Sequence, residues 1–227
     1  MTIVQAPAEV TPQVNGGARK VAAAFLVLTP IALGVTALSS AADNAVSAAA
    51  QPDLAGWLNL AQLVAIFLTF GWATVILQTT RRFSPVAAWI AFCATIGQLV
   101  ALAVVTGFQI LMLTLASEGL DPAALDKASD DGLANFPVTI VVFILFIPGL
   151  VVAFVAAAIA LWRSAWVPRA VPLLLLGVLV TDIALPSDPK GIHLIPFALM
   201  LAAGVILARL ILRDGAPAPI AGGHTEP

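Results

Sequence analysis

Six long apolar stretches, separated by short segments that carry nearly all the charge, leave this chain few ways to fold. They run approximately over residues 21–38, 57–79, 86–115, 136–161, 170–187 and 191–212. A helix rising ~1.5 Å per residue needs about 20 residues to cross ~30 Å of hydrocarbon. The first and fifth stretches stand near the lower limit, and the third is long enough to tilt strongly. The runs are too long for membrane strands and lack period-two alternation, so helices are expected.

Composition agrees. Hydrophobic residues make up 61% of the 227-residue chain, charged residues only 10%, and mean hydropathy is +1.05. A soluble domain carries roughly a quarter charged residues to cover its core, so a soluble enzyme is excluded, as is a disordered chain. A net charge of −2 without a basic block argues against nucleic acid as a partner. The single cysteine, Cys93, permits neither a disulfide framework nor a cysteine-based zinc site.

The expected fold class is therefore all-α: a polytopic membrane helix bundle with six transmembrane helices and both termini cytoplasmic. Orientation follows from the basic residues. Arg19, Lys20, Arg81, Arg82, Arg163, Arg169, Arg209 and Arg213 fall on one side, and only Lys127 and Lys190 on the other. That bias predicts a multi-pass protein of the bacterial plasma (inner) membrane. A competing reading takes Arg19, Lys20, the run 21–38 and Ser39, Ser40 and Ala41 as a secretory signal with a cleavage site. The long apolar run and long leader favour a retained span; cleavage would leave five spans and an external N-terminus. Residues 1–18 and 214–227 read as flexible cytoplasmic tails around a transmembrane domain over 19–213.

Outside the spans, 39–56 is an Ala/Ser-rich loop with room for a short helix. Asp121 followed by Pro122 predicts a helix over about 122–130. The spacing of Asp126, Asp130 and Asp131 does not fit an EF-hand and reads as a solvated acidic face. Small residues recur every four positions at Gly149, Ala153 and Ala157, at Gly97 and Ala101, at Ala103 and Gly107, and at Gly204 and Ala208, as helix contact faces would. Pro30, Pro148 and Pro196 are expected to kink their helices, whereas Pro172 lies in a first turn. In the loop between spans 4 and 5, Trp162, Arg163, Trp166 and Arg169 form a lipid anchor: indoles at headgroup depth and guanidiniums on lipid phosphate.

Polar residues within the spans are where function would show. Asp182 and His193 stand at similar depth on adjacent spans and are the catalytic candidates if the chain is an enzyme. By depth, Asn59, Gln62, Thr106, Gln109 and Thr139 join them as candidate binding residues of one outward-facing pocket. Thr74, Gln78, Thr95 and Gln98 lie deeper. One peripheral carboxylate argues against ion coupling, and no selectivity-filter signature is present. HExxH, GxSxG and phosphate-binding glycine loops are missing, no metal site or cofactor is called for, and two histidines cannot hold a haem pair.

The stretch Leu161-Trp162-Arg163-Ser164, then Val167-Pro168-Arg169 and Leu173-Leu174-Leu175-Leu176-Gly177, resembles a group of uncharacterised bacterial six-helix inner-membrane proteins. The resemblance implies topology and bacterial origin but no activity. Two functions fit the residues. One is a non-catalytic accessory or small-solute-binding membrane protein whose partners are the bilayer and another membrane protein or an apolar small molecule. The other is a membrane-embedded enzyme on a lipid or isoprenoid substrate, with Asp182 as the acid and Phe67, Phe70, Trp72, Phe108 and Phe143 as cation-stabilising walls.

Overall fold

The computed structural model describes residues 16–38, 44–135, 137–184 and 194–214, with side chains left aside at 132–139 and 214. The described residues form eight helices and no strand: α1 (Gly16–Thr36), α2 (Ala45–Ala50), α3 (Pro52–Thr80), α4 (Pro85–Ser117), α5 (Pro122–Asn135), α6 (Pro137–Trp162), α7 (Ala170–Ala184) and α8 (Ile195–Asp214). Five of them, α1, α3, α4, α6 and α8, are long and apolar enough to cross a membrane. The architecture is that of a multi-pass helical membrane bundle. Helix α7 has 15 residues, rising only ~22 Å.

Sequence chemistry sets the helix ends. Pro52 and Pro85 open α3 and α4 at positions that lose no helical hydrogen bond. Gly119, at φ 94°, takes the left-handed conformation that ends α4, and its amide bonds the carbonyl of Ala116. Asp121 accepts a hydrogen bond from the Ala123 amide at 3.1 Å, as an N-terminal cap should, and α5 runs to Asn135. Pro196 does not kink α8 as expected. The helix starts at Ile195, so Pro196 occupies its first turn.

The five long helices and the shorter α7 close into a ring. Consecutive apolar helices pack side by side (α1 on α3, α3 on α4, α4 on α6, α6 on α7, α7 on α8), and α8 completes the circuit against α1. Helix α1 is held tightly on both sides. A Cβ at Gly71 would strike the Phe25 ring, and one at Gly204 would strike the Leu26 carbonyl. Small residues thus let backbones approach, the main device available where lipid removes a hydrophobic driving force. Ala153, Ala157 and Ala208 are likewise buried, whereas Ala103 is exposed and Gly107 faces open space.

One end of the ring is packed solid. Leu26, Trp72, Leu161, Val171, Leu175, Ala203 and Leu207 belong to a single core cluster, and Leu77, Ala88 and Ala160 to a second. The α3–α4 turn and the α6–α7 loop therefore share this end, with the C-terminal turn of α8. The pairings Leu26–Gly204 and Gly34–Phe197 show α1 and α8 antiparallel, which brings Arg19 and Lys20 there too. All eight basic residues of the favoured side gather at this one end. Asp53, Glu118, Asp121, Asp126, Asp130 and Asp131 stand at the other.

At that acidic end, α2 and α5 lie together. Asp126 accepts hydrogen bonds from the Ala45 amide at 2.6 Å and the Val46 amide at 3.1 Å, while Asn44 accepts from Ser47 at 2.7 Å. The expectation of a purely solvated acidic face is thus corrected at Asp126. Its carboxylate caps the first turn of α2, where free amides attract an anion.

Candidate functional site

Away from the packed end, the ring encloses a cavity of about 320 Å³ to which all six of its helices contribute. Helical periodicity selects the wall. On α4, Thr95, Gln98, Leu99 and Leu102 follow the i, i+3, i+4, i+7 pattern of one face; on α6, Phe146, Leu150 and Phe154 are spaced by four. Val178 and Asp182 do the same on α7. Helix α3 supplies Gln62, Thr69 and Trp72, α1 supplies Leu33 and Thr36, and α8 supplies Pro196, Phe197 and Met200.

The wall is mostly apolar and carries four aromatic side chains: Trp72, Phe146, Phe154 and Phe197. The Trp72 and Phe154 rings stand 6.3 Å apart, tilted by 39°, within the range over which aromatic pairs attract. Its polar groups fall into two sets. The threonine hydroxyls are occupied locally: Thr36 donates to Leu33 O at 2.8 Å, Thr69 to Ala65 O at 2.7 Å and Thr95 to Ala91 O at 2.8 Å. Trp72 differs. It is 5% exposed, and its indole Nε1 is buried with no hydrogen-bond partner. An unsatisfied buried donor costs about 1–3 kcal/mol, and with no accessible surface this one is closed off from the cavity.

Among the described residues of the wall, Asp182 is the one ionisable group, and none is a Lys, Arg or His. Counting from the α6–α7 loop, it lies ~18 Å along α7, close to the ~20 Å that separates Gln98 from the start of α4. The short α7 places Asp182 beside Gln98 in depth, nearer the middle of the bundle than its sequence position alone suggests.

The expected pocket residues are only partly brought together. Gln62 and Asp182 meet in the central cavity, joined by Gln98 and Thr95. Asn59 is buried on α3 but takes no part in the wall. Thr106 is fully buried, and its hydroxyl donates to Leu102 O at 2.9 Å. Gln109 lines a separate outer hollow of about 410 Å³ with Asn44, Asp126 and Ser129. Gln98 and Gln109 share a face of α4, but the neighbours change along this 33-residue helix. The Thr139 side chain and His193 lie outside the described residues.

The aromatic walls also differ from expectation. Trp72 lines the cavity, but Phe67 is 75% exposed, and Phe70, Phe108 and Phe143 are exposed as well. Phe67, Phe70 and Phe143 present themselves to the bundle's exterior, where a membrane would meet them, and Phe108 lines the outer hollow with Gln109. At the basic end, the Arg169 guanidinium stacks on the Trp162 ring at 5.6 Å, and Trp162 and Arg163 are exposed. Trp166 is half-buried with its Nε1 unpartnered, so it packs into the bundle rather than lying wholly at the surface. Among the described residues, no group of His, Cys, Asp and Glu could hold a metal ion. Set against known proteins, the chain matches no family model, no curated protein and no solved structure.

Proposed function

We propose that the chain is a six-span protein of a bacterial inner membrane, with both termini cytoplasmic, that binds a small apolar molecule in its central cavity. The observation that carries this reading is the cavity itself: a ring of six helices packed solid at one end encloses a mostly apolar, aromatic-walled space that also meets Gln62, Gln98 and Asp182. Its volume reaches the lower range of small-molecule sites, and its chemistry, apolar with a few polar groups, is theirs. Helices that needed only each other would pack this space shut, since close contact is what holds membrane bundles together. Native mass spectrometry of the protein released from detergent tests the reading. Retention of an apolar adduct by the wild type, lost in Ala153→Phe, is the expected result; a bare wild-type chain under gentle release opposes it.

A second reading, an enzyme on a lipid or isoprenoid substrate, is favoured by one observation. Asp182 and four aromatic rings line the same cavity, as an acid and its cation-stabilising walls would. Unchanged membrane lipid and isoprenoid profiles in cells carrying Asp182→Asn, at normal expression, would dismiss it.

A further inference from the structure

Helix α1 changes character at its midpoint. Its buried residues are Ala23, Leu26, Thr29 and Pro30, and none of residues 31–36 is buried. Before Pro30 the helix is clamped on both sides, by Gly71 against the Phe25 ring and by Gly204 against the Leu26 carbonyl. Beyond it, Leu33, Thr36 and Ala37 line the central cavity, while Ile31 and Val35 are exposed on the opposite face. At this level a single helix separates the cavity from the outside of the ring.

Two features loosen this outer half. Pro30 has no amide hydrogen to give the Leu26 carbonyl, so the ladder of α1 is interrupted where the clamps end. The helix also stops at Thr36, and its neighbour α8 starts at Ile195, so the seam between them joins two helix termini. They meet there through Phe197, whose Cβ stands 3.6 Å from where a Gly34 side chain would begin, at ordinary packing distance. By contrast, Pro148 of α6 is braced by α4 on both sides, through Gly97 against Leu145 and Gly149 against the Ala94 carbonyl.

We propose that residues 31–37 of α1 form a gate, swinging on Pro30 away from Phe197 to admit an apolar molecule from the membrane into the central cavity. This inference rests on the cavity-binding reading above and adds the route of entry to it. The ring is closed with its cavity intact, so holding the gate shut should change the rate of exchange and not the affinity.

A bridge across the seam tests this. Gly34→Cys with Phe197→Cys, in a Cys93→Ala background, sets two Cβ atoms 3.6 Å apart, within the ~3.5–4.5 Å that a disulfide requires. The probe is 2-ethylnaphthalene, added to the full-length protein in detergent, with association and dissociation followed by stopped-flow fluorescence against a micelle blank. Oxidation should slow both rates by about tenfold or more and leave Kd within about twofold, and reductant should restore them. The reduced protein controls for the substitutions themselves. Pro30→Ala returns an amide to α1 and should slow exchange about threefold without any bridge, whereas Pro172→Ala, in the first turn of α7, should leave it unchanged. Unchanged rates in the bridged protein, or in Pro30→Ala should the cysteine pair not fold, overturn the gate and leave the cavity a binding site. A folded pair that resists oxidation contradicts the closed seam and overturns the gate as well. Failure of the probe to bind either form overturns the cavity-binding reading itself.

Discussion

Gly204 of α8 lies against the backbone carbonyl of Leu26 on α1, so close that no Cβ fits between them. That contact closes the ring, because α1 and α8 are the two members that are not neighbours in sequence. A side chain at position 204 meets backbone rather than a flexible tip, so the helices themselves must separate. Gly204→Val should destabilise the protein by about 2–4 kcal/mol, and Gly204→Ala by rather less. Gly107, with nothing near its missing Cβ, provides the control: Gly107→Ala should be neutral within about 0.5 kcal/mol. Thermal unfolding in detergent distinguishes the two, and equal losses at both sites would refute the closure argument.

The cap between the two short helices gives a second prediction. Asp126 holds the Ala45 and Val46 amides, so Asp126→Ala should weaken α2 by about 1 kcal/mol and leave the ring intact. Hydrogen exchange should speed up locally at the α2 amides, with exchange in α3 and α6 unchanged. Uniform acceleration across the chain would mean that Asp126 supports more than α2.

Aromatic side chains divide into two groups with opposite expected sensitivities. Phe154 is half-buried, stacked against Trp72 and turned to the cavity. Phe154→Ala should cost about 2–3 kcal/mol, below the ~3–5 kcal/mol of a fully buried ring, and should reduce retention of a bound molecule. Phe67 and Phe143 face outward, so Phe67→Leu and Phe143→Leu should leave both stability and retention within error. A strong effect of Phe67→Leu on retention would move the site to the outside of the ring.

The contrast between these aromatics shows what the sequence could and could not convey. Helix positions were legible because hydropathy integrates over many residues, and the charge bias was legible because Arg and Lys must stay near water. Which face of a helix points inward was not. A helix such as α6 is apolar on every side, so no amphipathic contrast marks its inner stripe. The spacing of Phe146, Leu150 and Phe154 by four was the one available signal, and it is common in any apolar helix. Asn59 and Gln109 illustrate the same limit: similar depth placed them with Gln62, but rotation about the helix and a change of neighbours set them apart. The engagement of Thr36, Thr69 and Thr95 with their own helices follows from local chemistry, yet only the ring shows that all three line one cavity.

Orientation across the membrane supplies the last prediction. Arg19, Lys20, Arg81, Arg82, Arg163, Arg169, Arg209 and Arg213 gather at one end of the ring, and the carboxylates of α5 and its neighbours at the other. Anionic cytoplasmic lipid attracts each nearby Lys or Arg by about 1 kcal/mol, so the eight-fold cluster strongly favours that end inside. Alkaline phosphatase, active only outside the cytoplasm, should therefore be silent when fused after Arg213 or within residues 81–84 and active when fused within 122–131. Arg163→Gln with Arg169→Gln removes two cations of the α6–α7 loop but leaves six basic groups, so the pattern should persist. Active fusions after Arg213 would reverse the orientation. Active fusions both there and within 122–131 would remove the six-crossing topology altogether.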